Sequence, residues 1–88
     1  MDAPATELDL ATAEQLRTAL ANARTRGAVH VLLDLSRVTF MDATALGVIV
    51  EAANQLREAG GSLRLAGARP PVEMVLHATR LHDVLISR

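Results

Sequence analysis

Asp42 and Thr44 are the residues of this chain whose types and spacing best suit chemistry. They sit in the stretch FMDATALGV, residues 40–48. The aspartate closes an apolar pair, and Thr44 lies between Ala43 and Ala45, so nothing bulky crowds its hydroxyl. An aspartate at such a junction suits a helix N-cap, where its carboxylate accepts a backbone N–H and offsets the helix dipole. Thr44 then falls in the first turn, where a polar residue is simply tolerated. The face it belongs to says more. Thr44, Gly47, Val48, Glu51 and Gln55 share that face by helical spacing. Its N-terminal end is small and weakly polar, a reasonable seat for a partner. A phosphate on Thr44 would add nearly two negative charges beside the free N–H groups of the helix start. Asp42 would oppose it modestly. A partner packed on Ala43 and Val48 would then face a hydrated dianion. The expected behaviour is a release switch that leaves the domain folded.

Other chemistries fit less well. A receiver-like phosphoacceptor would use an aspartate at a strand end, such as Asp34 or Asp42. That chemistry wants an acidic cluster holding magnesium and a lysine, and all nine basic residues here are arginine. GGSLRLAG lacks the spacing and the Lys-Ser/Thr of a phosphate loop. His30, His77 and His82 show no metal-ligand spacing, and their order supports no Ser-His-Asp set. The expectation is a binding protein without a catalytic residue, cofactor or metal.

The bulk composition agrees. A chain of 88 residues with half its residues apolar makes one domain, residues 1–88, with one modest core. A net charge of −1 offers nothing to pull it onto nucleic acid or an anionic membrane. Arg17 and Arg24 lie seven residues apart, on one face of the first helix, but acidic residues balance the arginines overall. Phe40 is the sole aromatic, too few for base stacking. There is no cysteine for a disulfide or thiol chemistry. MDAPATE lacks the charge and apolar run of a signal peptide, and VLL and ALGVIV are too short to span a membrane. A cytoplasmic location is expected.

The elements that must position Asp42 and Thr44 follow from periodicity. ELDLA reads as a strand or strand end. TAEQ, residues 12–15, fits a capping box, with Thr12 as cap and Gln15 reaching back. Leu16, Ala19, Leu20 and Ala23 then mark a helix over 13–26, stopped by Gly27. VHVLLDL, 29–35, reads as a strand covered on both faces. The second helix spans 43–59 and ends at Gly60-Gly61, with Leu46, Ile49, Val50, Ala53 and Leu56 inward. SLRLAG alternates as a strand, which makes a parallel pair across a right-handed crossover. A third helix opens at Pro71, with Val72, Val75, Leu76 and Thr79 on one face. LHDVLIS suits a helical turn and a short edge strand. The class is α/β: a small, mostly parallel sheet with about four helices on it.

LDLSRVTFMDATALGVIV resembles the core motif of STAS domains of the anti-sigma factor antagonist type, D-L-S-x-V-x-F-[MI]-D-S-[ST]-G-L-G. LDLATAEQL resembles the family's G-E-L-D-x-x-T-A-x-x-L, and GGSLRLAGARPPVEMVLHATRLHDVL its C-terminal pattern, so the likeness covers residues 7–86. The resemblance implies a STAS fold. It implies that Thr44 is the phosphorylated position, with Asp9 beside it. It implies that the unmodified protein binds an anti-sigma factor, often a GHKL-type kinase, and so frees a sigma factor for transcription. That kinase phosphorylates the antagonist and breaks the complex; a PP2C-type phosphatase restores it. Asp9, Asp42, Ala43, Ala45, Gly47, Val48 and Glu51 are then the partner-binding set.

Four departures stand out. The family's first strand has no counterpart in MDAPAT, which implies an open sheet edge and a homodimer contact. Ala45 replaces the usual glycine, Ala43 replaces a serine and leaves Thr44 as the motif's hydroxyl, and Arg80 replaces a late glycine. Two siblings of the same fold are alternatives: a STAS subunit of a lipid-transport ATPase complex, and a stressosome-type scaffold. The first shares D-L-S-R-V, but its threonine directly follows the aspartate, where this chain has Ala43.

Overall fold

The computed structural model describes residues 1–79. Its elements in chain order are β1 (Glu7–Leu8), α1 (Ala13–Thr25), β2 (His30–Asp34), β3 (Phe40–Met41), α2 (Ala43–Glu58), β4 (Ser62–Ala66) and α3 (Pro70–Ala78). The expected tail turn and edge strand, and Arg80, lie outside the described residues. The α/β class holds, with three helices among the described residues.

Every strand pairing among the described residues is parallel. β2 runs beside β4 with His30 opposite Ser62 and Asp34 opposite Ala66. β1 runs beside β3 with Glu7 opposite Phe40 and Leu8 opposite Met41. The parallel pair expected for the two long strands is therefore present. The core is a single cluster to which each strand contributes alternate residues: Leu8, Val31 and Leu33, Met41, Leu63 and Leu65. Three helices close it with Leu16 and Leu20, Leu46, Ile49 and Leu56, and Val72 and Leu76.

β2 corrects one expectation. Its residues alternate between exposed and buried, and Leu32 keeps 49% of its surface in water. The strand is covered on one face, so its apolar run does not mean burial on both. Thr12 supplies a second correction. It stands at the N-cap of α1, but its side chain makes no capping bond to the helix. The hydroxyl donates instead to the Glu7 carbonyl at 2.7 Å, and the Asp9 carboxylate accepts from the Thr12 N–H at 3.1 Å. The hydroxyl is spent on the preceding loop, so the capping box does not form.

The outer edge of β2 is partly covered. Asp2 bridges Asp34, the Ala3 N–H donates to the Asp34 carbonyl, and the Asp34 N–H donates to the Met1 carbonyl. The edge expected to lie open is thus occupied beside Asp34.

Candidate functional site

The site is the junction between β3 and α2, and Asp42 builds it. Met41 is buried and locked into the β1–β3 pair, which fixes where the chain leaves the sheet. The Asp42 N–H donates to the Leu8 carbonyl at 3.0 Å, extending that pairing by one residue. Its backbone is extended at φ −110°, the geometry of an N-cap. Its Oδ1 accepts from the Ala45 N–H at 3.0 Å. Its Oδ2 accepts from the Leu10 N–H at 3.2 Å. One carboxylate therefore caps α2 and ties down the loop that leads into α1. The cap expected at Asp42 is present.

Thr44 is exposed in the first turn of α2, and its hydroxyl has no hydrogen-bond partner among the described residues. A helix start leaves its first N–H groups without intrahelical partners. Here the Asp42 side chain takes that of Ala45, and the Leu46 N–H makes the first regular helical bond, to the Asp42 carbonyl. Those of Ala43 and Thr44 remain directed at the space in front of the helix. The hydroxyl therefore stands beside two available donors and one carboxylate.

Asp9 lies on the neighbouring loop, within three residues of the Leu10–Asp42 bond. Its N–H donates to the Thr12 hydroxyl at 3.0 Å, so it is held by a reciprocal pair with Thr12. The structure thus brings Asp9, Asp42 and Thr44 to one end of the sheet.

Of the other expected contact residues, Ala43, Gly47 and Glu51 are exposed. Ala45 and Val48 are not: both belong to the core, at 0% and 5% exposure. The reason is that α2 is covered on two sides. One side lies on the sheet, and a second side, bearing Val48 and Ala52, packs along Leu20 of α1. Val48 therefore supports the Thr44 face from beneath instead of presenting a surface there. For the same reason Val50, expected inward, is only half-buried.

Leu10 is a residue that pattern reading missed. It is 75% exposed, the largest exposure of any large apolar residue described, and its backbone is bonded to Asp42. Its position between a two-residue strand and a helix carries no periodicity, so only the apolar identity in LDLAT hinted at it. Its backbone bond to Asp42 places it on the loop beside the helix start, where Ala43 and Gly47 are also exposed. Among the described residues no three His, Asp or Glu side chains gather as a metal site, and no helix is long and apolar enough to cross a membrane.

Comparison with known proteins places the chain in a family. The chain is 30% identical over 80 residues to the anti-sigma F factor antagonist of Paenibacillus polymyxa, covering 90% of this chain and 68% of that one. It is 32% identical over 79 residues to the anti-sigma-B factor antagonist of Listeria monocytogenes, covering 90% and 69%. Its fold superposes on unphosphorylated SpoIIAA, an anti-sigma factor antagonist of Bacillus, with a TM-score of 0.79 at 25% identity, over 93% of this chain and 72% of that one. The STAS domain model matches residues 3–87, and the chain belongs to the STAS domain family.

Proposed function

We propose that this protein is an anti-sigma factor antagonist switched by phosphorylation of Thr44. In the unmodified state the ridge of Leu10, Ala43, Thr44 and Gly47 seats an anti-sigma factor, a GHKL-type serine/threonine kinase, and a sigma factor is released. Phosphorylation breaks the complex, and a PP2C-type phosphatase restores it. The observation that carries this reading is the Thr44 hydroxyl: exposed, without a hydrogen-bond partner among the described residues, and next to two unused backbone donors. SpoIIAA exists in separate unphosphorylated and phosphorylated forms, which supports the same cycle here.

Release follows from bulk and hydration. The phosphate would occupy the space one turn from Gly47 that the partner needs. The two N–H groups would stabilise the dianion, so the modified domain stays folded. Asp42 positions the helix start and does not react.

The test is the intact mass of the protein taken from its own cells, beside a Thr44→Ala variant. A phosphate adduct in the wild type and none in the variant is expected. An unmodified wild-type mass under every growth condition would remove the switch. A constitutive binding role, as in a lipid-transport complex or a scaffold, would then take its place. An adduct lost in acid but stable in the Thr44→Ala variant would point to an acyl phosphate and a receiver-like chemistry.

A further inference from the structure

The loop between β1 and α1 holds a large apolar side chain in water. Leu8 before it and Ala13 after it are core residues, at 0% and 5% exposure, so both ends of the loop are anchored. Leu10 between them is 75% exposed. Burying a leucine is favourable, so a loop free to move would turn Leu10 against the protein. The hydrogen bonds around it show what holds it out.

The Leu10 N–H donates to the Asp42 Oδ2 at 3.2 Å, which fixes one point of the loop. Thr12 fixes the rest. Its hydroxyl donates to the Glu7 carbonyl at 2.7 Å and accepts from the Asp9 N–H at 3.0 Å. Its own N–H donates to the Asp9 carboxylate at 3.1 Å and lies 3.2 Å from the Asp9 carbonyl oxygen. Thr12 thus closes the loop back onto the end of β1, and Leu10 and Ala11 are the two residues left exposed between Asp9 and Thr12. The helix gains nothing from this hydroxyl, which stands at the N-cap of α1 without bonding to it. A threonine at that position ordinarily stabilises its own helix. Here the capping bond is given up to hold the loop.

We propose that Thr12 is a positioning residue for partner binding: its hydroxyl keeps the loop in the one conformation that presents Leu10 beside the Asp42 helix start. The inference rests on the reading of the Leu10–Thr44 ridge as the seat of the anti-sigma factor. Thr12 does not touch the partner and acts through Leu10. A leucine that is already ordered avoids the cost of ordering it on binding. Without the hydroxyl, the competent loop conformation is only a fraction of the population, and apparent affinity falls by that fraction.

The first test needs no partner. Thr12→Val keeps the shape of the side chain and removes the hydroxyl. In the isotopically labelled full chain, the order parameter of the Leu10 amide should fall from about 0.85 to below about 0.6, while Leu8 and Leu16 stay rigid. Thr12→Ser should keep Leu10 ordered. An unchanged Leu10 in Thr12→Val overturns the proposal. So does an equal loss at Leu8 and Leu16, which would make Thr12 a residue of general stability.

The second test titrates the anti-sigma factor kinase purified from the same organism. Thr12→Val should weaken binding about fivefold, and Thr12→Ser should leave it unchanged. In a Leu10→Ala background, Thr12→Val should cost nothing more, because the side chain it positions is gone. Additive losses overturn the proposal. Thr44→Glu separates this role from the reading beneath it. If Thr44→Glu binds normally, the ridge is not the seat of the partner and both fall. If Thr44→Glu loses binding while Thr12→Val binds as the wild type does, the ridge stands and the role of Thr12 falls.

Discussion

The Asp42 carboxylate accepts a hydrogen bond from the Leu10 N–H at 3.2 Å, across 32 residues of chain. Its other oxygen caps α2 at Ala45. One side chain therefore couples the loop before α1 to the turn that presents Thr44. Replacing Asp42 with Ala removes both bonds and should cost about 1–2 kcal/mol, the usual range for a lost N-cap. Asp42→Asn keeps an acceptor and gives up the charge at the helix start, so it should cost about 0.5 kcal/mol. Urea denaturation measures both. Amide exchange locates the effect: Leu10 and Ala45 should lose protection together in Asp42→Ala. Loss at Ala45 alone would break the proposed coupling.

Thr44 should behave in the opposite way. Its hydroxyl has no partner among the described residues, so Thr44→Ala should change stability by less than about 0.5 kcal/mol. Thr44→Glu places a carboxylate in the first turn of α2 and should stabilise by about 0.3–1 kcal/mol through the helix dipole. The same variant should lose anti-sigma factor binding, measured by calorimetry with the purified partner. Stability rising while binding falls would separate a blocked surface from a damaged fold. A Thr44→Glu protein that binds normally would leave the phosphorylation switch without a physical basis.

How much of this could be read beforehand depended on how local each signal was. The Asp42 cap, the extent of α2 and the parallel pairing of β2 with β4 rest on short-range patterns, and they were legible in the residues. Val48 was misplaced because a helical wheel assumes one buried stripe, whereas α2 touches both the sheet and α1. No period within α2 records the arrival of a second helix. Leu32 was misplaced because an apolar run looks the same whether a second layer covers it or not. Thr12 matched the capping pattern, yet its hydroxyl was claimed by Glu7 and Asp9 through the shape of the loop. The exposed Leu10 followed no period at all.

Two glycines make a sharp pair. Gly61 lies so close to the preceding strand segment that an added Cβ would stand 1.7 Å from the Val29 carbonyl oxygen. Its N–H also ties back to the Leu56 carbonyl at 2.8 Å, closing the end of α2. The backbone on both sides is fixed, so Gly61→Ala should cost more than about 3 kcal/mol or prevent folding. Gly47 is the reverse case. It lies exposed inside α2, and an added Cβ would meet nothing within 4 Å. Gly47→Ala should therefore stabilise the free protein by about 0.5–1 kcal/mol, through helix propensity alone. Urea midpoints read both changes. If Gly47→Ala also weakens the anti-sigma factor, the glycine was kept for close approach of the partner; unchanged affinity would place the contact elsewhere on the ridge.

Asp34 gives a prediction about acid stability. Its Oδ1 accepts from the Ser36 N–H at 2.8 Å, and this bond, with a smaller contribution from the Ser36 side chain, holds its pKa below the ordinary carboxylate value of 3.8. Nearby positive charge at the N-terminus and Arg37 acts in the same direction. A depressed folded-state pKa means that the unfolded chain takes up the proton first as pH falls. The contribution of Asp34 is thus complete above about pH 4 and disappears as pH falls through the folded-state value. Asp34→Asn keeps an acceptor for Ser36 but cannot titrate. The difference in stability between wild type and Asp34→Asn should be constant from about pH 7 to about pH 5 and should shrink below about pH 4. Urea denaturation across that range measures it. A difference that stays constant to the lowest pH would mean that the Ser36 bond does not distinguish the charged carboxylate from the neutral one.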